Sequence, residues 1–121
     1  MLELWLFLYR YKAFRIGLIS SKNEVYNNFW RNWHREGCKL KNEASLIFSD
    51  KNTEYCKFFK ELSYTQVRYL IHFNPFAIMI IDESTFIFSY EKDFTCIQIN
   101  SGAITNSLAN FFDDLWKIAE K

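Results

Sequence analysis

The sequence of 121 residues has little glycine and proline, with three residues of the first and one of the second. Such a composition excludes a collagen-like repeat, a flexible linker and a loop-rich disulfide scaffold. Histidine occurs only twice, and the three cysteines are far apart in the chain, so that no C-x-x-C or H-E-x-x-H motif is present. A Gly-rich phosphate loop and a G-x-S-x-G nucleophile turn are absent as well. We therefore expect neither a metal site nor a bound cofactor.

Half of the residues are apolar and a fifth are aromatic, which excludes a disordered chain. A chain of this length is expected to form one domain with a single hydrophobic core. We predict that this domain covers residues 13–121. Residues 1–12 form a separate apolar segment, which includes Trp5 and Phe7 and is too short to span a bilayer. The segment suits a buried helix, a strand or a region that docks on a partner, and we expect no membrane contact.

The formal net charge of +1 is unevenly distributed along the chain. Residues 1–60 carry eleven Lys/Arg and six Asp/Glu, whereas residues 61–121 carry four and eight. A basic cluster comprises Arg31, Arg35, Lys39 and Lys41. It is typical of a solvated surface, but a nucleic-acid patch or a contact between the basic and acidic sides of two subunits also fits. The odd number of cysteines favours buried free thiols in a reducing cytoplasm.

Apolar periodicity predicts strands at residues 13–20, 44–49, 65–71, 76–82, 85–90 and 95–100. Between them we predict a helix capped by Ser21 and Glu24 and ended by Gly37, a second helix around residues 55–62, and a last helix capped by Ser101. We write the order as β-α-β-α-β-β-β-α. Alternating units followed by a hairpin predict an α/β fold, with a mixed sheet that is parallel in its first part and carries helices on its faces.

The apolar positions also predict which side of each element faces the core. In the first helix the apolar stripe comprises Val25, Phe29 and Trp33, with Tyr26 and Trp30 beside it, and in the last strand we expect Ile97 and Ile99 to face the core. The last helix carries one broad apolar stripe, formed by Ile104, Leu108, Phe111, Phe112, Leu115, Trp116 and Ala119. Such a stripe packs on a sheet and can also serve as a contact surface with a partner.

Few side chains offer catalytic chemistry. His34 lies in the first helix, His72 ends the third strand, and Asp82 ends the most apolar strand. The two histidines lie on different elements, which favours surface or half-buried positions over a catalytic pair. Asp82 stands where an α/β active site often lies, yet Asp82-Glu83-Ser84 is also an ordinary polar hairpin turn. Cys56 is expected to be buried and unreactive.

Four stretches carry a resemblance to a known family. Residues 76–89 (FAIMIIDESTFIFS) resemble the strand-Asp-turn-strand core of phospholipase D-like domains. Residues 95–119 (TCIQINSGAITNSLANFFDDLWKIA) look like the closing strand and helix of one group of these domains, the effector regions of archaeal TrmB-type transcription regulators. Residues 29–35 (FWRNWHR) and 65–70 (TQVRYL) match an aromatic-His-basic helix and a strand of such regions. The resemblance covers residues 13–119 and implies one phospholipase D-like half.

The departures from that family concern its catalytic motif, His-x-Lys-x-x-x-x-Asp. With Asp82 in the Asp place, Pro75 occupies the His place and Ala77 the Lys place. Proline cannot act as the nucleophile, and alanine cannot hold the charge of a phosphate. The resemblance therefore implies the fold without the hydrolase activity. The winged helix at the N-terminus of those regulators has no counterpart in this sequence.

Our first hypothesis is a non-catalytic domain that binds a partner regulator or a second copy, with a small effector as a further candidate ligand. Its expected contact residues are Trp5, Phe7, Leu108, Phe112, Leu115 and Trp116. The second hypothesis is a degenerate phosphodiesterase or nuclease that uses His34 or His72 with Asp82. The third is a nucleic-acid accessory protein that uses the cluster of Arg31, Arg35, Lys39 and Lys41.

Overall fold

A computed structural model describes residues 13–19, 23–51, 53–71, 76–89 and 95–121. The strands are β1 (Ala13–Ile19), β2 (Glu43–Phe48), β3 (Thr65–Tyr69), β4 (Phe76–Ile81), β5 (Ser84–Ser89) and β6 (Thr95–Asn100). The helices are α1 (Glu24–Lys39), α2 (Glu54–Lys60) and α3 (Gly102–Ile118). The predictions for Trp5, Phe7 and His72 lie outside the described residues.

The six strands form one mixed sheet in the order β3-β2-β1-β4-β5-β6. Strands β1, β2 and β3 are parallel, because α1 and α2 provide the crossovers between them. Strand β4 is antiparallel to both β1 and β5, and β6 is antiparallel to β5. The structure confirms the predicted α/β class with a mixed sheet. The written order β-α-β-α-β-β-β-α is one strand short, since all six predicted strand segments are strands and four of them follow one another.

The main core lies between α1, α2 and one face of the sheet. Trp33, Phe59 and Leu46 are almost completely buried there. Strands β4 and β5 contribute alternate residues to the same face, among them Met79 and Phe86. Burial of such large side chains is the dominant favourable contribution to folding.

A smaller core lies on the opposite face, under α3. Its fully buried members are Ile47, Ile80 and Phe112. The ring of Phe112 lies against the backbone of β1 at Gly17, where a Cβ atom would come within 3.2 Å of the ring. Glycine at this position therefore allows α3 to approach the sheet closely.

Helix α1 begins later and faces the sheet differently than predicted. Its N-cap is Asn23, whose Oδ1 accepts hydrogen bonds from the backbone amides of Val25 and Tyr26, so the predicted Ser21–Glu24 capping box is wrong. The helix also continues through Gly37 to Lys39. The predicted burial of Trp33 is confirmed, but Val25 is exposed, and the other buried residues of α1 are Asn27, Trp30, His34 and Gly37. The aromatic-rich sequence hid this rotation, because Tyr26, Phe29, Trp30 and Trp33 cover more than one side of the helix.

Strand β6 is exposed, contrary to the prediction that Ile97 and Ile99 face the core. Ile97 is 53% exposed and Ile99 is half-buried. The physical reason is its place at the end of the sheet, where it pairs only with β5 among the described strands. Within the described residues, no helix is long and apolar enough to cross a membrane.

Candidate functional site

The catalytic candidates do not converge. Asp82 is exposed in the two-residue turn between β4 and β5, where Ile81 pairs with Ser84. Its φ of 54° lies in the left-handed region, which aspartate tolerates better than most residues. Ala77, at the Lys place of the phosphodiesterase motif, is buried in the main core. The geometry of Asp82 is thus that of a turn residue.

His34 is buried inside the main core, so the expectation of a surface or half-buried position is wrong for this histidine. Its ring contacts Trp33 and Phe59 edge to face, with centroid distances of 4.9 and 5.0 Å. Burial lowers the pKa of His34 to about 3, so the imidazole is neutral at pH 7. It lines a cavity of about 20 Å³ together with Tyr55 and apolar side chains such as Ile16 and Met79. A cavity of this size holds about one water molecule.

The thiols offer no activated nucleophile. Burial raises the pKa of Cys56 to about 11, although a hydrogen bond with Tyr69 acts in the opposite direction. Cys56 is buried as predicted, but Cys38 is half-buried and Cys96 is exposed, so the expectation of burial is wrong for Cys96. In the part of the chain that the structure describes, no group of three or more His, Cys, Asp or Glu side chains is arranged to hold a metal ion.

The basic cluster lies along α1 and the turn after it, beside the aromatic rings of α2. The guanidinium of Arg31 lies 5.2 Å from the ring centroid of Tyr55, and that of Arg35 lies 5.1 Å from the ring centroid of Phe58. Arg31 also forms an ion pair with Glu24 at 3.3 Å. These contacts hold both guanidinium groups against the seam between the two helices.

Ion pairs reduce the positive charge of this cluster. Lys39 pairs with Glu36 at 2.9 Å, whereas Arg35 and Lys41 form no ion pair with any described residue. Helix α2 adds Lys57 and Lys60, which the sequence argument did not include; Lys57 pairs with Glu54 at 3.8 Å. The α1–α2 surface therefore keeps a modest positive charge.

The predicted contact residues of α3 lie mostly against the sheet. Phe112 is buried, and Leu108, Leu115 and Trp116 are half-buried around it. The ring of Trp116 lies 4.4 Å from the guanidinium of Arg68, which also donates a hydrogen bond to the carbonyl of Trp116. Phe112 and Trp116 therefore anchor α3, and the contact that the sequence predicted for these four residues stays a prediction.

A second apolar stripe of α3 faces solvent. Ile104, Phe111 and Ile118 are 48%, 51% and 70% exposed. With the half-buried Leu108 and Leu115 they follow the alternating spacing of three and four residues that characterises helix–helix seams. The spacing is visible in the sequence, but the burial of Phe112 and the exposure of Phe111 show which side of α3 faces the sheet.

Strand β6 carries a further exposed apolar residue, Ile97, on the same face of the sheet as α3. Ile97 pairs with Ile87 of β5, which in turn pairs with Ile78 of β4, so that a row of isoleucines crosses three strands on the α3 face. Helix α3 contacts β4, β5 and β6. We call the exposed residues Ile97, Ile104, Phe111 and Ile118 the docking surface. Large exposed apolar patches usually mark interaction sites.

Comparison with known proteins gives a likeness to a solved structure. No protein-family model matches the sequence, and no curated protein is significantly similar to it. The solved structure of TrmBL2, described as an archaeal chromatin protein with a novel mode of DNA binding, is similar with a TM-score of 0.66 at 16% sequence identity. The likeness covers 99% of this chain and 50% of the TrmBL2 chain, so this chain spans half the length of its neighbour. At this identity, the likeness shows a shared fold.

Proposed function

We propose that this chain is a non-catalytic phospholipase D-like binding domain, related to the effector regions of archaeal TrmB-type regulators, and that it self-associates. The structural similarity to TrmBL2 over nearly the whole chain supports the relation to archaeal regulators. The observation that carries the binding role is the docking surface of Ile97, Ile104, Phe111 and Ile118.

The absence of catalysis in this proposal rests on the motif and on the geometry. Pro75 and Ala77 replace the nucleophilic His and the phosphate-holding Lys of the family. His34, a candidate replacement, is buried among aromatic rings, and its low pKa keeps it neutral over the physiological range. A general base needs a pKa near the working pH and access to the substrate proton.

Self-association is the form of binding that we propose for the docking surface. A monomer would leave Ile104, Phe111 and Ile118 in contact with water, which is unfavourable by about 25 cal/mol per Å² of apolar area. The test is light scattering over a range of concentrations, with Phe111→Asp as the variant. We expect a concentration-dependent dimer that the variant weakens; a strict monomer at high concentration overturns the proposal.

A small effector is a further candidate ligand, and the cavity beside His34 bears on it. Its volume of about 20 Å³ is far below that of a sugar or a nucleoside. An effector in this cavity would therefore require α1 and α2 to move away from the sheet. Isothermal titration with candidate metabolites tests this, with a His34→Phe variant as the control that narrows the cavity.

A nucleic-acid accessory role is the second candidate function. It is favoured by the α1–α2 surface, where Arg35 and Lys41 lack ion pairs with described residues, and by the DNA-binding description of TrmBL2. The test is binding of a short DNA duplex at several salt concentrations. The double variant Arg35→Ala/Lys41→Ala should reduce the salt dependence by about two phosphate contacts.

Lys51→Ala is the matched control for this test, because Lys51 pairs with Glu120 at 2.9 Å and does not belong to the cluster. Equal effects of the control and the double variant would indicate non-specific charge attraction. Absent or salt-insensitive binding excludes the accessory role.

The degenerate phosphodiesterase has no geometric support from the described residues, but it has a direct test. We expect no hydrolysis of a generic phosphodiester such as bis(p-nitrophenyl) phosphate. Hydrolysis that disappears in Asp82→Asn would overturn the non-catalytic proposal and give Asp82 a catalytic role.

A further inference from the structure

Strand β6 offers an edge that none of the described strands covers. It pairs with β5 over six consecutive residues without a bulge, and its other edge has no partner strand among the described residues. The six residues Thr95–Asn100 include no charged residue and no proline. Natural edge strands are usually protected by charges, prolines or bulges, because bare backbone amides and carbonyls recruit another strand.

The opposite edge of the sheet differs. At the end of β3, the backbone of Tyr69 exchanges two hydrogen bonds of 2.7 Å with that of Glu120, which lies just after the end of α3. Strand β3 also carries Arg68, whose charge opposes self-pairing. Of the two edge strands of the described sheet, only β6 thus combines an open backbone edge with a sequence that carries no charge.

We propose that β6 of one copy pairs antiparallel with β6 of a second copy, so that two six-stranded sheets join into one of twelve strands. This inference rests on the self-association proposed above and specifies its geometry. Antiparallel pairing of identical edges is symmetric about a two-fold axis perpendicular to the sheet, so each residue makes the same contact in both copies. Most of the open edge is then hydrogen-bonded, and no like charges of β6 meet.

The second copy fits this edge better than a foreign peptide does. A two-fold axis perpendicular to the sheet keeps both α3 helices on the same face of the joined sheet. The exposed Ile97 and the half-buried Ile99 of the two copies therefore lie on one face of the joined sheet and meet across the pair. A foreign extended peptide would satisfy the backbone of β6, but it would cover Ile97 only if it carried apolar residues at the opposed positions.

The pairing has only two reasonable registers. In an antiparallel pair, two directly opposed residues have their side chains on the same face of the sheet. The two-fold axis must therefore lie midway between one residue and its own copy, because an axis between two successive residues would oppose side chains of different faces. For a six-residue strand, the longest pairing places that residue at Ile97 or at Gln98. Either register brings isoleucines of the two copies together on the α3 face.

Cysteine cross-linking tests the pairing directly. In the full chain with Cys38→Ser and Cys96→Ser, we introduce Ile97→Cys or Gln98→Cys and oxidise the protein. A cysteine on the axis meets its copy at a Cα separation of about 5 Å, which fits a disulfide, whereas the neighbouring position is about 8 Å from its copy. We expect one of the two variants, and not the other, to form a covalent dimer in high yield.

Ile71→Cys is the matched control, because Ile71 is an exposed isoleucine next to the opposite edge strand. Cross-linking of this control as efficient as that of the β6 variants would indicate random collision and overturn the pairing. So would a chain that sediments as a dimer while neither β6 variant cross-links. A chain that stays monomeric refutes the proposed self-association itself, so the two failures are distinguishable.

Hydrogen exchange of the unmodified chain gives a second readout that needs no variant. Pairing protects the outward-pointing amides of β6 in concentrated solution and releases them on dilution. We expect the exchange rates of the outward-pointing amides within Thr95–Asn100 to rise at least tenfold on dilution below the dimer dissociation constant, while the amides bonded to β5 stay unchanged. Rates that do not depend on concentration in a sample shown to dimerise would contradict β6 pairing.

Discussion

The hydroxyl groups of Thr85 and Thr105 lie 2.9 Å apart in a fully buried contact between β5 and the first turn of α3. Thr105 also donates a hydrogen bond of 3.0 Å to the carbonyl of Glu83 in the β4–β5 turn. The N-terminal turn of α3 is thereby fixed to the hairpin. Since α3 carries the exposed stripe of Ile104 and Phe111, this pair of threonines also sets where the docking surface lies.

Replacement of Thr105 by valine should destabilise the protein. Thr105→Val keeps the shape of the side chain but leaves the hydroxyl of Thr85 and the carbonyl of Glu83 without their buried partner, and we expect the free energy of unfolding to fall by about 1–3 kcal/mol. The control is the double variant with Thr85→Val, which should lose less than the sum of both single variants. Strictly additive losses in denaturant unfolding would show that the two hydroxyls are not coupled.

The neighbours Phe111 and Phe112 should behave in opposite ways. Phe112 is buried against Gly17, so Phe112→Ala should lower the free energy of unfolding by about 3–5 kcal/mol. Phe111 is half exposed, so Phe111→Ala should change stability by less than about 1 kcal/mol but weaken self-association. Chemical denaturation measures the first effect and sedimentation velocity the second. Equal losses of stability would contradict the orientation of α3.

His34 should make stability depend on pH. Its pKa is about 3 in the folded chain, because burial disfavours the charged ring, against 6.5 when exposed. As the pH falls from 6.5 towards 3, His34 therefore becomes protonated in the unfolded chain but stays neutral in the folded chain. The free energy of unfolding should decrease over this window by up to about 1.4 kcal/mol per pH unit.

The control for this dependence is His34→Phe, which keeps an aromatic ring beside Trp33 and Phe59 but cannot be protonated. Carboxylates titrate in the same range, so the difference between the two chains is the quantity of interest. We expect the variant to be less sensitive to pH between 6.5 and 4. Parallel pH profiles would show that His34 is not buried in the neutral form.

Asp82 should be replaceable by glycine but not by valine. Its φ of 54° is available to glycine without cost, whereas a β-branched side chain is strained there. We expect Asp82→Gly to preserve or slightly raise the melting temperature, and Asp82→Val to lower the free energy of unfolding by about 1–2 kcal/mol. Equal effects of the two variants on thermal unfolding would argue against a turn role for this residue.

Local sequence patterns predict the elements of this fold well. The six strand segments and three helices follow from runs such as residues 76–81, which are apolar throughout and lie in the middle of the sheet. The Ser101 cap is confirmed as well, with its hydroxyl accepting a hydrogen bond from the amide of Ile104. These features depend on neighbours in the chain, which the sequence displays directly.

The faces of the elements were harder to predict, because they depend on partners distant in the chain. Helix α3 has apolar residues on two adjacent sides, and periodicity alone does not show that Phe112 faces the sheet while Phe111 faces solvent. Strand β6 alternates like a half-buried strand, but its place at the edge follows from the pairing of β1 with β4. The docking surface therefore became visible only when the topology was known.

Sedimentation equilibrium of the full chain at several concentrations tests the central claim most directly. The account predicts a reversible dimer, with an apparent mass that rises towards twice the chain mass of 14.6 kDa. Ile97→Lys, placed on β6, should shift this equilibrium to the monomer, whereas Ile71→Lys, next to the opposite edge, should not. A mass that stays at that of one chain up to high concentration would contradict the account.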